Sequence, residues 1–454
     1  MADTADIVVV GAGMAGIAAA YHLAARRAAR NVVLIDEREP LTLTSDKGTQ
    51  AYRNWWPGPD ATMLRYMTRS IDLLEEMADE SGNAFRLNRR GYVFVTADEE
   101  GVDRLRATAR EVSSFGMGEL REHGSASTSY QPPPPEGYDG QPEGADLLDG
   151  SAACSAFPGL TADTRAALHV RRAGWFNAIA LGAWMLKRAL GAGVTFVRDR
   201  VTSIDTRGGR VRGVGLASGA TIECARAAIA AGPALPDVLR TLDLELPLFQ
   251  ELHAKLTLRD TRGVVNRATP FLIWNDPVEL PWTEQERAKL RAEPNGSRLL
   301  LPFPGGVHLR PVDGPHGDEL YIIWTYDVEP RPFAWPPRFD RHYGEIAIRG
   351  LARMLPAMKA YFGHGDRGFV DGGYYCKTRE NRPLVGPLPV EGAYVLGALS
   401  GYGIMGSHAG ADLLAAHLMG ARLPEYASWF LPSRYDDAGY RAEIDRWGAN
   451  VGQL

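Results

Sequence analysis

The chain has 454 residues, 45% of them hydrophobic and 23% charged, with a formal net charge of -5. That length exceeds one ordinary core and points to two or three domains of a globular protein, not a disordered or fibrous one. The acidic balance gives no electrostatic case for nucleic acid or an anionic membrane. Three scattered cysteines, Cys154, Cys224 and Cys376, exclude a disulfide framework or zinc cluster, and without HExxH or CxxC no metal is expected.

The first predicted elements are a strand and a helix, IVVVGAGMAGIAAAYHL, joined through Gly11-x-Gly13-x-x-Gly16. A second apolar strand, NVVLIDER, ends at Asp36, twenty residues past Gly16. This is a dinucleotide-binding β-α-β unit. Gly11 permits the tight turn, Gly13 admits a pyrophosphate to the backbone, and Gly16 lets helix and strand pack. The helix N-terminus offers free N–H groups to phosphate, and Asp36 can accept from a ribose. Ile7 to Ala25 is the longest charge-free run, but its glycines suit a phosphate turn better than a membrane span. Asp3 and Asp6 argue against a signal peptide, and a cytoplasmic location is the default expectation.

A polar, aromatic stretch follows, and then an amphipathic helix from about Ala61 to Ser81. RLNRRGYVFVTADEEG reads as a strand and a turn. Residues 124–150 are rich in Pro, Gly and Ser, and the prolines at 132–135 forbid helix there. Ala173 onward gives a helix and a strand. VTSIDTRGGRVRGVGLASGATIEC then alternates with period two and turns at Gly208-Gly209 and Ser218-Gly219, as antiparallel strands do. ARAAIAAGP is a buried strand. Residues 242–367 mix strands with many Trp and Pro and have the character of a substrate domain. The last part is strand, turn, strand, glycine-rich turn and helix. Its Gly401-Tyr-Gly403-Ile-Met-Gly406 repeats the dinucleotide pattern, but no further β-α-β unit follows. A helix N-terminus facing the same cofactor from another side fits better.

Together, the N-terminal GxGxxG with its distal acid, the mid-chain V-x-x-I…G-x-V…A-A-G-P and the C-terminal T-x-x-x-x-P-L-V-G-P…S-G-x-G resemble the FAD-dependent D-amino-acid oxidase superfamily, which includes glycine oxidase, sarcosine oxidase and dimethylglycine dehydrogenase. The resemblance implies an α/β plus α+β architecture, in which a discontinuous Rossmann-like FAD-binding domain carries a mixed-sheet substrate domain. The expected segments are 1–83, 151–240 and 371–454 for FAD, and 84–150 (with the Pro-rich excursion 124–150) and 241–370 for substrate. It also implies oxidation of a C–N bond in an amine or amino acid, with hydride passing to flavin N5 and the imine hydrolysing. Oxygen or an electron carrier would be the acceptor, and a homo-oligomer is left open. A hydroxy-acid dehydrogenase and a flavin-bearing assembly protein without turnover are the alternatives.

By the same resemblance Gly11, Gly13, Met14, Ala15, Gly16 and Asp36 hold the ADP part, with Glu37 or Arg38 sharing the adenosine contacts. Ser45, Lys47, Gly48 and Thr49 wrap the pyrophosphate and ring. Val201 and Gly232 lie beside the adenine and ribityl chain. Gly401, Tyr402, Gly403, Ile404 and Met405 form the turn at the pyrimidine end. The covalent attachment points of relatives fall at Gly373 and near Gln50, so noncovalent FAD is expected. The usual carboxylate anchors are replaced by Tyr375 and Met405. Arg53 and Arg310 are the replacement anchors, because a guanidinium pairs bidentately with carboxylate. His308 alternates with Arg310 and shares its strand face. Tyr374 and Tyr375 point to opposite faces. Tyr402 and Lys377 complete the candidates, and Trp55 and Trp56 either wall the pocket or pack the loop. The oxygen-activating lysine of sarcosine oxidases falls near Ile322, which leaves a dehydrogenase passing electrons to a carrier open beside an oxidase.

Overall fold

Ile7–Val10 is buried along its whole length, which requires a sheet covered on both faces. The computed structural model describes residues 3–124, 129–294, 296–312 and 317–447, and in it this strand, β1, lies inside a six-stranded sheet. Its other members are β2 (Val32–Asp36), β3 (Thr195–Arg198), β4 (Ala227–Ile229), β5 (Leu384–Pro387) and β6 (Ala393–Gly397). The spatial order is β3-β2-β1-β4-β6-β5, parallel throughout except for β5. This is the Rossmann-like arrangement, assembled from segments far apart in the chain.

One face of the sheet, with Ile7, Val9 and Leu34, packs against α1 (Met14–Tyr21) and α4 (Gly403–Met419), with α2 (Thr62–Ser81) packed on α4 and α3 (Ala178–Gly191) on α1. The other, with Val8, Val10, Val33 and Ile35, meets the antiparallel meander Val201–Arg207, Arg210–Leu216 and Thr221–Cys224. Its first turn is at Gly208-Gly209, both at positive φ. Asn177 caps α3 by accepting from the Ala180 N–H at 2.9 Å, and α2 ends on Gly82 in the left-handed region.

The second layer is a mixed nine-stranded sheet. In spatial order its strands are Phe369–Lys377, Phe249–Arg259, Glu319–Ile323, His308–Val312, Phe271–Trp274, Tyr92–Thr96, Ala166–Val170, Ala145–Asp149 and Leu120–His123. Leu256, Leu309, Leu320 and Ile322 point to one face, where the helix Tyr343–Met354 covers them. By period-two alternation His253, His308, Arg310 and Ile323 point to the other face, toward the first layer. Ala166–Val170 and Phe369–Lys377 therefore belong to this sheet, although the segments 151–240 and 371–454 place them with the cofactor part. Phe369–Lys377 is held there by antiparallel pairing along Phe249–Thr257.

The expected turn after Thr96 is instead the start of a helix, Glu99–Val112. Asp98 caps it by accepting from the Gly101 N–H at 3.0 Å, and Leu105, Ala109 and Val112 form its buried stripe. Gly101 serves close packing rather than a turn, since a Cβ there would lie 2.2 Å from the Thr96 hydroxyl. Within the Pro-rich excursion the described part contains the strand Ala145–Asp149, and Tyr138 is anchored through its hydroxyl to Asp79. Among the described residues no helix is long and apolar enough to cross a membrane.

Candidate functional site: a nucleotide groove opening into a buried chamber

At the carboxyl ends of β1 and β4 the chain leaves a groove. Gly11 has φ +104°, and a Cβ on it would lie 2.5 Å from the Ala230 carbonyl oxygen. A Cβ at Gly16 would fall 1.7 Å from the Gly11 carbonyl oxygen. Both positions are thus closed to any side chain, and the backbone of the turn can come to the surface of the groove. Gly13, Met14 and Ala15 line it at the N-terminus of α1. The Met14 N–H donates to Ser45 Oγ at 3.0 Å, so the loop after β2 closes over the helix start. Asp36 fastens the turn: its carboxylate accepts from the Ala12 N–H at 2.6 Å and from the Arg38 N–H at 2.9 Å.

The groove runs outward between Asp36, Glu37, Arg38 and Val201, where Phe333 from the substrate layer forms part of the wall. Arg38 stacks on Trp335, with its guanidinium carbon 5.1 Å from the ring centre. Inward, Gly48, Gly232, Gly401, Gly403 and Ile404 line it. The turn before α4 therefore does face the same cavity as the turn before α1. Lys47 lies outside the lining, paired with Asp46 at 2.9 Å and Asp371 at 3.6 Å. Cys376 does line the groove, and burial pushes its thiol up to about 12.

A second cavity adjoins the inner end and shares Gly48, Tyr375, Ser400, Gly401 and Ile404 with the groove. Thr49, Gln50 and Met405 line it, as do Arg53, His308 and Tyr402. Arg53 is buried, donates from Nε to the Trp55 carbonyl at 3.2 Å, and stacks on Trp56 at 4.5 Å. Burial lowers its pKa, and a hydrogen bond with Tyr92 opposes this. His308 Nδ1 lies 2.8 Å from the Gly306 carbonyl, so that nitrogen carries the proton and Nε2 keeps its lone pair. Burial holds its pKa down to about 4, which leaves the ring neutral near pH 7.

Tyr375 stacks on His253 with centroids 4.2 Å apart, and burial raises its phenol to about 12. Tyr374 instead lines the groove against Phe333, as strand alternation requires. The Tyr402 hydroxyl donates to the Asn381 carbonyl at 2.7 Å, so its ring rather than its oxygen meets the chamber. Trp55 and Trp56 are packed in the core, and Trp56 backs Arg53.

Arg310 shares a face with His308 but does not line the chamber. Its Nε donates to the Thr49 carbonyl, its Nη1 donates to the Pro311 carbonyl at 2.9 Å, and its guanidinium stacks on Tyr321 at 4.8 Å. It braces the loop that carries Gly48 and Thr49. Ile322 belongs to the far core, while its neighbour Ile323 lines the chamber. Sequence reasoning missed His253, Thr325, Tyr92 and Phe271, all on the wall. For His253 a signal was there: Glu251, His253 and Lys255 recur at alternate positions of one strand.

A backbone-built dinucleotide groove feeding a small chamber between two layers defines a nucleotide-dependent oxidoreductase. A family profile described as FAD dependent oxidoreductase (DAO) matches residues 6–417, and the chain belongs to that family. No match was found among curated proteins. Among solved structures, the chain is similar to L-proline dehydrogenase from P. horikoshii (TM-score 0.73, 19% identity, covering 96% of this chain and 99% of that one). It is also similar to glycine oxidase from Geobacillus kaustophilus (TM-score 0.70, 16% identity, 94% and 98% covered). Iminodiacetate oxidase from Chelativorans sp. BNC1 is a third likeness (TM-score 0.69, 18% identity, 94% and 98% covered). At these identities the likenesses establish the fold.

Proposed function

We propose that the protein binds FAD noncovalently and oxidises the C–N bond of a small amino acid in the chamber. The observation that carries this reading is the continuity of groove and chamber at Gly48, Tyr375, Gly401 and Ile404. The residues of that junction would hold the reactive end of a dinucleotide bound in the groove. The fit is physical: Gly11 and Gly13 bring bare backbone to the groove wall, and Met14 and Ser45, joined by the Met14 N–H to Oγ bond, line it beside them. Gly11, Gly13, Asp36 and Val201 would hold the adenosine diphosphate, and Ser45, Gly48, Gly232, Gly401 and Ile404 the remainder. Bound flavin supplies a hydride acceptor for the carbon next to nitrogen.

Noncovalent attachment follows from the candidate nucleophiles. Cys376 is the thiol of the groove wall, and burial keeps it protonated and therefore unreactive. Gln50 turns its side-chain oxygen to the Ala178 N–H at 3.2 Å. The chamber residues define the substrate's charge. No carboxylate lines the chamber among the described residues, whereas the Arg53 guanidinium does. A guanidinium in such surroundings suits a carboxylate, which favours an amino acid over a simple amine. The aromatic rings of Tyr92, Phe271 and Tyr375 exclude water around the reacting carbon.

Reconstitution with FAD and anaerobic exposure to glycine, N-methylglycine, L-proline and D-alanine test this reading. Bleaching of the yellow protein is expected, with ammonia or methylamine released from the acyclic donors and a cyclic imine formed from L-proline. Bleaching by glycolate or L-lactate alone, or a protein that takes up no flavin, overturns it.

A further inference from the structure

The strand Phe249–Arg259 carries a buried polar chain that nothing in the proposed chemistry has yet used. Lys377, wholly buried on the neighbouring strand, donates to both oxygens of Glu251, at 3.0 and 2.9 Å. Glu251 Oε2 lies 2.9 Å from His253 Nε2, and His253 Nδ1 lies 3.2 Å from the Thr325 hydroxyl. His253 and Thr325 both line the chamber. Such an array is costly to bury unless every member is satisfied, and its order fixes its protons. An ionised Glu251 can only accept, so Nε2 carries the imidazole proton. Nδ1 then presents its lone pair to the hydroxyl of Thr325, itself a residue of the chamber wall.

We infer that Thr325, His253 and Glu251 form a proton relay that strips the ammonium proton from a bound amino acid before its C–N bond is oxidised. This rests on the amino-acid reading given above. The substrate –NH3+ gives one proton to Thr325 Oγ, and the hydroxyl proton moves to His253 Nδ1. The imidazolium keeps its Nε2–H on Glu251. Substrate charge falls by one and His253 charge rises by one, no electrons move, and the amine gains the lone pair that C–H cleavage requires.

His308, the other imidazole on the wall, is unsuited to this task. Its Nδ1–H is bound to a neutral carbonyl, so no carboxylate stands ready for an imidazolium there, and burial and Arg53 disfavour its protonated form. The charged and titratable groups around His253 come from several elements. Glu251 lies on its own strand, Lys377 and Tyr375 on the next, and Asp327 just past Glu319–Ile323. His308 and Arg53 stand across the chamber, and Arg331, Arg338 and Asp340 line a cleft on its other side. Burial lowers the His253 pKa while Glu251 opposes that shift, so the ring is neutral at rest and its conjugate acid has a counter-charge ready.

The decisive variant is His253→Gln, with anaerobic bleaching rates measured from pH 6 to pH 10.5 on the donor panel above. A general base of this kind contributes at least about 100-fold, so the variant is expected to lose that factor near pH 7. Its rate is expected to recover above the donor's own ammonium pKa, where the amine arrives deprotonated. A merely structural role would give no alkaline recovery, and a profile parallel to the wild type overturns the relay. Should His253→Gln fail to fold, Thr325→Val is expected to show the same loss and recovery. Independently, 15N NMR of the flavin-loaded protein without substrate, assigned by comparison with the variant, should find His253 protonated at Nε2. A proton on Nδ1 overturns the relay even if no donor bleaches the flavin, and that last result would count against the proposed function instead.

Discussion

The groove and the chamber are neighbours built by opposite means. The groove is shaped by what is missing, since Gly11 and Gly16 leave no room for a Cβ and peptide groups form its floor. The chamber is shaped by what is present: Arg53, His253, His308 and Tyr375 are buried titratable side chains brought together on one wall. A site of the first kind is specific for a shape shared by many nucleotides. One of the second kind can be retuned residue by residue without disturbing the fold that carries it.

The sharpest way to break the contrast is to wedge the glycine turn apart. Gly16→Ala places a Cβ 1.7 Å from a backbone oxygen, and that oxygen has no freedom to move. The variant is expected to purify colourless, with no flavin taken up on reconstitution, as absorbance would report. Acid acts on buried imidazoles, His308 in the chamber wall and His169 and His408 outside it. Burial lowers His308 to about 4 and His169 and His408 to about 3. Each is depressed below its unfolded value, so its contribution is complete above about pH 6.5 and lost as pH falls. Between pH 6 and pH 5 the three together should remove about 4 kcal/mol, read as a falling urea midpoint.

Replacing Arg53 by Met should raise KM about 100-fold for carboxylated donors while leaving flavin content unchanged, which steady-state kinetics would check. A smaller effect is expected at Asp36. Without its carboxylate the Ala12 and Arg38 N–H groups lose their partner, and Asp36→Ala should weaken FAD about tenfold in a fluorescence titration. If Arg53→Met bleaches the purified protein instead, the division between groove and chamber is wrong.

What the sequence discloses follows the same division. Gly11, Gly13, Gly16 and Asp36 lie within one β-α-β unit, so their spacing carries their geometry. The second turn at Gly401–Gly406 is equally local, and both face the cavity expected of them. His253 was hidden because its meaning depends on Lys377, 126 residues from Glu251 and joined to it only by strand pairing. Arg310 shows the limit of parity arguments. It lies on the expected face, but two residues along a strand are about 7 Å, enough to carry a guanidinium past the chamber to the Thr49 carbonyl. The helix Glu99–Val112 was overlooked because Gly101 looks like a turn residue when its neighbour Thr96 is out of view.

The placement of β4 governs how the molecule must be born. It pairs with β1 on one side and with β6, which begins only at Ala393, on the other. During synthesis, four strands of the nucleotide sheet can gather while β4 still presents a raw hydrogen-bonding edge. The Gly401 turn emerges later still. A nascent or truncated chain ending before Ala393 would therefore expose a sticky strand and could not grip its pigment, so loading belongs to the finished polypeptide.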